Sequence, residues 1–233
     1  MEEKAFALLD TTPYVKSDYS IDVLCTVIHD IMHVHQKFSN EFPRLEEFNL
    51  KKIQVRDILE KIEDSNTHII NNEFYTYLND YLTKLNRLTR DLDLEYTYSE
   101  YDFRIRVKQR ESIIYKLGHY NSGKREMGKI PLNKCLNDLL GFRIIIPNFK
   151  HECENFQKMC STIAEYYKIR YRNSSKGEYK ATHVYFYGEK NTYFPWELQI
   201  WLPEDFEQNY DSHERHKQEY IKSATIHKHA FEN

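Results

Sequence analysis

The sequence predicts an α+β protein in which a mixed-sheet catalytic domain follows a helical N-terminal extension. Three observations predict it. Apolar residues recur at three-four spacing through about the first hundred positions, and strict alternation begins near residue 101. Strand-like and helix-like stretches then interleave almost to the end. The boundaries that follow are 1–100 for the extension, 101–223 for the catalytic domain and 224–233 for a tail. With 19 Tyr, 13 Phe and 2 Trp in 233 residues, the chain has the aromatic content for a core despite 30% charged residues. No apolar run approaches the roughly 20 residues that a membrane span needs. The first residues lack the basic-then-apolar pattern of a secretion signal. A soluble, cytoplasmic protein with no membrane partner is expected.

In chain order, Ile21, Leu24, Cys25, Ile28, Ile31 and Met32 mark one helix face, and Val55, Ile58, Leu59 and Ile62 repeat the spacing. Pro43, within 40–49, breaks the two. A third helix runs from about Asn71 to Leu94, with Leu82, Leu85 and Leu88 opposite Lys84, Arg87 and Arg90. Tyr101–Lys108 alternates, Phe103, Ile105 and Val107 against Arg104, Arg106 and Lys108, as a half-buried strand does. Arg110–Leu117 reads as a short helix, Leu139–Pro147 as a buried strand and His151–Tyr167 as an amphipathic helix. Tyr167–Tyr171, Thr182–Tyr187 and Trp196–Trp201 are further strands, and Glu204–Ser223 is a closing polar helix.

The net charge of −3 argues against a protein that coats nucleic acid, but the distribution is uneven. Residues 104–125 carry seven basic groups against Glu111 alone, a local +6 that leaves −9 elsewhere. Six glycines exclude a glycine-rich phosphate cradle. Four cysteines (Cys25, Cys135, Cys153, Cys160) show neither Cys-x-x-Cys nor zinc spacing and read as buried thiols, with Cys153 and Cys160 on one helix face.

Side-chain donors can replace the missing cradle. Arg104, Arg106 and Lys108 leave one strand face, and Ser112 and Lys116 share a side of the next helix, a cluster able to grip phosphate oxygens. The plainer reading is a solvated basic face. Asp138 abuts the apolar run LLGFRIII, and Glu197 lies inside PWELQIWL with Gln199 on its own face. Carboxylates in such places are paired or metal-bound, and two of them beside phosphates suit Mg²⁺. The alternative is a pair of salt bridges, for instance to Arg143. The polar loop SSKGEYKATH offers Lys176, Tyr179, Lys180 and His183, with Tyr179 exposed to stack on a base or simply packed.

Taken in order, RVKQRESIIYKL, DLLGFRI, YKATH and ELQIW resemble the synthetase domain of the RelA/SpoT homologue family. Its patterns are R-x-K-x-x-x-S-x-x-x-K, D-x-x-G-x-R, G-Y-x-S-x-H and E-x-Q-I. The resemblance implies a nucleotidyltransferase-like mixed sheet and transfer of the β,γ-pyrophosphate of Mg-ATP to a ribose 3′-hydroxyl, with release of AMP. It further implies that Arg106 and Arg143 sandwich adenine, that Lys108, Ser112 and Lys116 hold the ATP phosphates, and that Arg110 helps. Asp138 would bind Mg²⁺, Glu197 would assist the metal and activate the hydroxyl, and Gln199 would brace Glu197. Tyr179 would stack on the acceptor base, Lys176 and Lys180 would contact the acceptor, and His183 would lie near the reacting phosphates.

Departures gather on the acceptor side. Glu178 replaces the glycine before the tyrosine, Ala181 replaces the serine, and the strand ends in Trp201 where the family has arginine. The next helix reads NYDSHERHKQEY. These departures resemble the toxic small alarmone synthetases, which implies a tRNA 3′ CCA acceptor and a protein antitoxin. Glu178 and Trp201 both penalise a small polyanion. The rivals are a synthetase using GDP, GTP or adenine nucleotides to make alarmones, and an inactive RNA-binding relative. The family's hydrolase module needs a larger helical domain, so His29-Asp30 reads as chance. His213 and His216 lack further metal ligands. Lys84, Arg87 and Arg90, like Lys51, Lys52 and Arg56, are solvated faces or contacts to an RNA backbone.

Overall fold

The computed structural model describes residues 19–43, 48–62, 68–123, 127–150, 152–212, 214–215 and 218–219. Helix α1 (Tyr19–Glu41) buries Leu24, Ile28 and Ile31 of the expected stripe and also Val27, while Ile21, Cys25 and Met32 are half-buried. It ends two residues before Pro43.

The helix expected around Val55–Ile62 is absent. Val55–Ile58 is a single 3-10 turn, and Leu59–Lys61 becomes strand β1, antiparallel to β2 (His68–Ile70). Val55 and Ile58 are buried while Glu60 and Lys61 are exposed. Two turns of apolar face are too few to carry a helix, and the ladder with β2 satisfies the backbone instead. The N-terminal region is therefore not wholly helical.

Helix α2 (Asn72–Leu88) starts at an Asn71 cap that accepts from the amides of Glu73 and Phe74. It stops six residues before Leu94, which opens a separate turn, α3 (Leu94–Thr97). Leu82 and Leu85 are buried; Lys84, Arg87 and Arg90 are exposed. Strand β3 (Arg104–Val107) feeds α4 (Arg110–Ser122), which continues beyond the expected end at Leu117. The one-turn helix α5 (Leu132–Cys135), β4 (Leu140–Ile145), α6 (Glu154–Ala164), β5 (Ile169–Asn173), β6 (Thr182–Phe186) and β7 (Trp196–Trp201) follow. The expected closing helix begins with a 3-10 turn, Pro203–Asp205. Residues 206–212 are then helical, with Asn209 and Ser212 buried.

Strands β3 to β7 form one mixed sheet in the order β3-β4-β7-β6-β5, with β4 and β7 parallel and the other pairs antiparallel. Phe142, Ile144, Val184, Phe186, Leu198 and Ile200 are buried on one face. The N-terminal helices pack into the same core: Phe38 meets Trp196 at 5.6 Å, and the Trp196 indole donates to the Tyr81 hydroxyl at 2.8 Å. All four thiols are free, and burial pushes Cys135 and Cys160 up to about 12. Cys25 and Cys153 are half-buried rather than buried, and Cys153 occupies the N-cap position of α6, outside the helix, with no side-chain capping bond. No helix among the described residues is long and apolar enough to cross a membrane.

Candidate active site

The other face of the sheet collects the polar residues, and register places them. Arg104 pairs with Arg143 and Arg106 with Gly141. Gly141 and Arg143 pair with Glu197 and Gln199, which pair in turn with Tyr185 and His183. Paired positions share a face, so one continuous floor spans β3 to β6. Gly141 lies at its centre, between Arg106 and Glu197. A Cβ there would meet nothing closer than Arg106 O at 3.9 Å, so packing does not demand the glycine; its effect is to leave the floor open.

Two carboxylates anchor two networks. Asp138 lies just before β4, where Lys108 Nζ contacts Oδ2 at 2.6 Å and Lys116 Nζ contacts Oδ1 at 3.0 Å. Burial alone would raise this carboxyl, but the ammonium groups of Lys116 and Lys108 outweigh it and hold Asp138 well below the usual carboxylate range. Lys116, a buried residue of α4, is displaced upward because Asp138, above all, overcomes its desolvation. Ser112 is half-buried one turn earlier.

Glu197 projects from β7 and is 7% exposed. His183 Nδ1 donates to its Oε1 at 2.9 Å, Gln199 donates to Oε2 at 2.8 Å, and the Tyr185 hydroxyl also bonds it. Burial would raise Glu197, yet the imidazole and its hydrogen bond hold it below its ordinary value, against the opposing charge of Asp138. The Tyr179 hydroxyl bonds His183 Nε2 at 2.8 Å.

The two arginines expected to sandwich adenine are arranged unequally. Arg106 is exposed on the floor. Arg143 Nη2 meets Asp102 at 3.2 Å, and its guanidinium lies 4.8 Å from the Trp201 ring and 5.6 Å from Phe206. Its Nε is buried without a protein partner. Asp102 also holds Arg104 at 2.7 Å. Arg110 is turned away, over the Tyr75 ring of α2 at 5.9 Å.

The loop expected to meet the acceptor, residues 174–183, differs from its expected form in two ways. Tyr179 is half-buried rather than exposed, because His183 bonds its hydroxyl at 2.8 Å and the Trp201 ring packs edge-on against its own at 6.3 Å. Burial, chiefly, displaces that hydroxyl upward. Glu178 is not a bare negative charge, since Arg215 pairs with it at 2.7 Å. The left-handed residue of the turn is Gly177 (φ 61°), one position before the site where the family has its glycine, so Glu178 needs no special backbone. Lys176 and Lys180 are exposed, and Lys180 Nζ lies 3.6 Å from Asp205.

Sequence reasoning missed Asp102, Tyr185 and Asn209. The Asn209 side chain is fully buried and bonds both the amide and the carbonyl of Lys180 at 2.8 Å. Arg172 pairs with His183 and Arg170 with Tyr185 on the polar face, a placement that the alternation IRYRN already signals. His29 and Asp30 serve structure, contacting Tyr166 and Tyr98 respectively. His213, His216, Lys124 and Arg125 lie outside the described residues.

The family described as "Region found in RelA / SpoT proteins" matches residues 105–224. Among solved structures, small alarmone synthetase 1 from Bacillus subtilis is similar at 17% identity and TM-score 0.34, over 69% of this chain and 92% of that one. Small alarmone synthetase 2 from the same organism is similar at 18% and 0.36, over 66% and 91%. The AMPCPP-bound form of synthetase 1 gives 17% and 0.28, over 69% and 95%. No curated protein matches the chain. The matched family region spans more than half of the sequence and contains all four motifs and both carboxylates, and the chain therefore belongs to the RelA/SpoT family.

Proposed function

We propose that this chain is an ATP-dependent pyrophosphokinase whose acceptor is the 3′ CCA end of tRNA, and that it acts as a translation-inhibiting toxin held in check by a protein antitoxin. The observation that carries the reading is the division of labour between its carboxylates. Asp138 is fixed by two lysines at the phosphate-binding motif, and Glu197 by neighbours from the acceptor motif. Both face a floor kept open at Gly141.

Lys108, Lys116 and Ser112 would bind the phosphates of ATP, and Arg106 would lie over its base. Asp138 and Glu197 would hold Mg²⁺; two hard carboxylate oxygen donors, with phosphates completing the shell, suit that ion. Among the described residues no group of three or more His, Cys, Asp and Glu side chains could hold a metal without substrate. A bound ion would supply neutralisation of the charge building on the phosphate oxygens. Before ATP binds, the two lysines occupy the oxygens of Asp138; phosphates compete for those ammonium groups and release the carboxylate. Glu197, ionised and oriented by His183 and Gln199, accepts the proton of the acceptor 3′-hydroxyl. The hydroxyl oxygen forms a bond to Pβ, the bond from Pβ to the α-phosphate oxygen breaks, and AMP leaves.

The tRNA assignment rests on what surrounds Tyr179. Trp201 stands where the family has an arginine and packs on Arg143, while Arg215 is engaged by Glu178. A compact nucleotide polyphosphate loses the cation it would use there. An RNA end gains affinity from distant backbone contacts instead. The test offers tRNA and GDP side by side with γ-labelled ATP. Label entering tRNA is the expected result; tetra- or pentaphosphate formed from GDP or GTP, with none entering tRNA, refutes the acceptor assignment.

A further inference from the structure

Strand β5 closes the sheet at its acceptor edge and alternates strictly. Ile169 is buried and Tyr171 half-buried, while Lys168, Arg170 and Arg172 are exposed on the polar face. Lys51 joins this row, because the Leu50 amide bonds the carbonyl of Asn191, whose side chain accepts from Lys168 Nζ at 3.1 Å. Tyr187 lies among the cations, its ring 5.7 Å from Lys168 Nζ and 5.9 Å from the Arg170 guanidinium.

The charges that bear on Lys168 are both cationic, Lys51 and Arg170, and with desolvation they displace its ammonium downward. Among the described residues Lys51, Lys168 and Arg170 form no ion pair. A single lysine is enough to discourage edge-to-edge pairing of strands. Several mutually repelling cations without a counter-charge exceed that need. Lys168 to Arg172 spans about 13 Å at the strand rise, too long for one diphosphate but suited to successive phosphates of a chain. The row also runs directly into the site, since Arg172 is the register partner of His183.

We propose that Lys51, Lys168 and Arg170, with Tyr187 between them, form a docking ledge for the sugar-phosphate backbone of the acceptor RNA. The proposal rests on the tRNA reading above and specifies where the body of that RNA lies. The regular spacing along an extended strand and the interleaved aromatic favour nucleic acid over an acidic protein.

Filter binding of deacylated tRNA across a salt series, with Lys168→Glu, Arg170→Glu and the double variant, tests the ledge. Both sites are exposed, and Lys168→Gln with Arg170→Gln repeats the test without charge reversal. The double variant should bind tRNA at least about tenfold more weakly, and its salt slope should shrink by about 1 for each cation removed. Binding of ATP should be unchanged. Equal affinity and slope in parent and variants would overturn the ledge, as would variants that lose only an acidic protein partner. The two claims fail separately. Label entering tRNA at the parental kcat/KM in the double variant removes the ledge and spares the activity. A parent that binds tRNA through the ledge but never labels it removes the activity and spares the ledge.

Discussion

At the scale of single residues, the proposed function depends on carboxylates that stay ionised while buried. Asp138 and Glu197 each pay that desolvation through two or more donors. Asp138→Asn or Glu197→Gln should therefore retain the fold and lower transfer by 10²-fold or more, the usual cost of one such interaction. Pyrophosphate transfer by Glu197→Gln at the parental rate would refute its role as base. Trp201→Phe keeps a ring against Arg143 but shortens the indole that packs edge-on against Tyr179 at 6.3 Å. It should raise the acceptor KM several-fold and leave the ATP KM unchanged, as initial-rate kinetics would show. The four motifs were legible because each pairs a charged residue with a fixed register on a strand or helix. Asp102 was not legible. Its function depends on a left-handed backbone (φ 43°) that brings it to arginines on two strands, and no local pattern announces that.

At the scale of elements, the proposed acceptor loop is positioned from outside itself. Asn209 bonds the backbone of Lys180 in the manner of a neighbouring strand, and Arg215 and Asp205 hold the side chains on either side of Tyr179. Asn209→Ala leaves a buried amide and carbonyl unpaired, a loss of about 1–3 kcal/mol. The acceptor KM should rise up to about tenfold, with faster amide exchange in residues 174–181 and unchanged protection in β7. Unaltered exchange in that loop would show that Asn209 does not position it. Strands β6 and β7 were readable in THVYF and WELQIW to within a residue, whereas β5 runs Ile169–Asn173, two residues beyond the expected Tyr167–Tyr171. The β1–β2 hairpin was not readable, because three residues per strand are too few to show a period, and Val55, Ile58 and Leu59 fit a helix face equally well.

At the scale of the molecule, the N-terminal helices and the sheet share one core, and His35 lies in it fully buried. Its Nε2 donates to Phe194 O at 3.0 Å, which leaves Nδ1 to accept from the Tyr167 hydroxyl. Burial lowers His35 to about 4. The unfolded chain, with an ordinary value of about 6.5, binds this proton first. Stability should thus fall as pH drops from about 6.5 to about 4, by about 3 kcal/mol at most from this group, and then level. Urea midpoints across that range check it, and a His35→Gln variant should lose that part of the slope. The α+β class was legible in the change of period near residue 101, whereas the fusion of the N-terminal helices with the sheet depends on long-range aromatic contacts such as Phe38 with Trp196. The central claim is that a pyrophosphoryl group, rather than a single phosphoryl group, moves across the Gly141 floor. Product analysis with ATP labelled separately at the α and γ positions tests it most directly. The account predicts one AMP for each γ-label transferred and no ADP; stoichiometric ADP would contradict it.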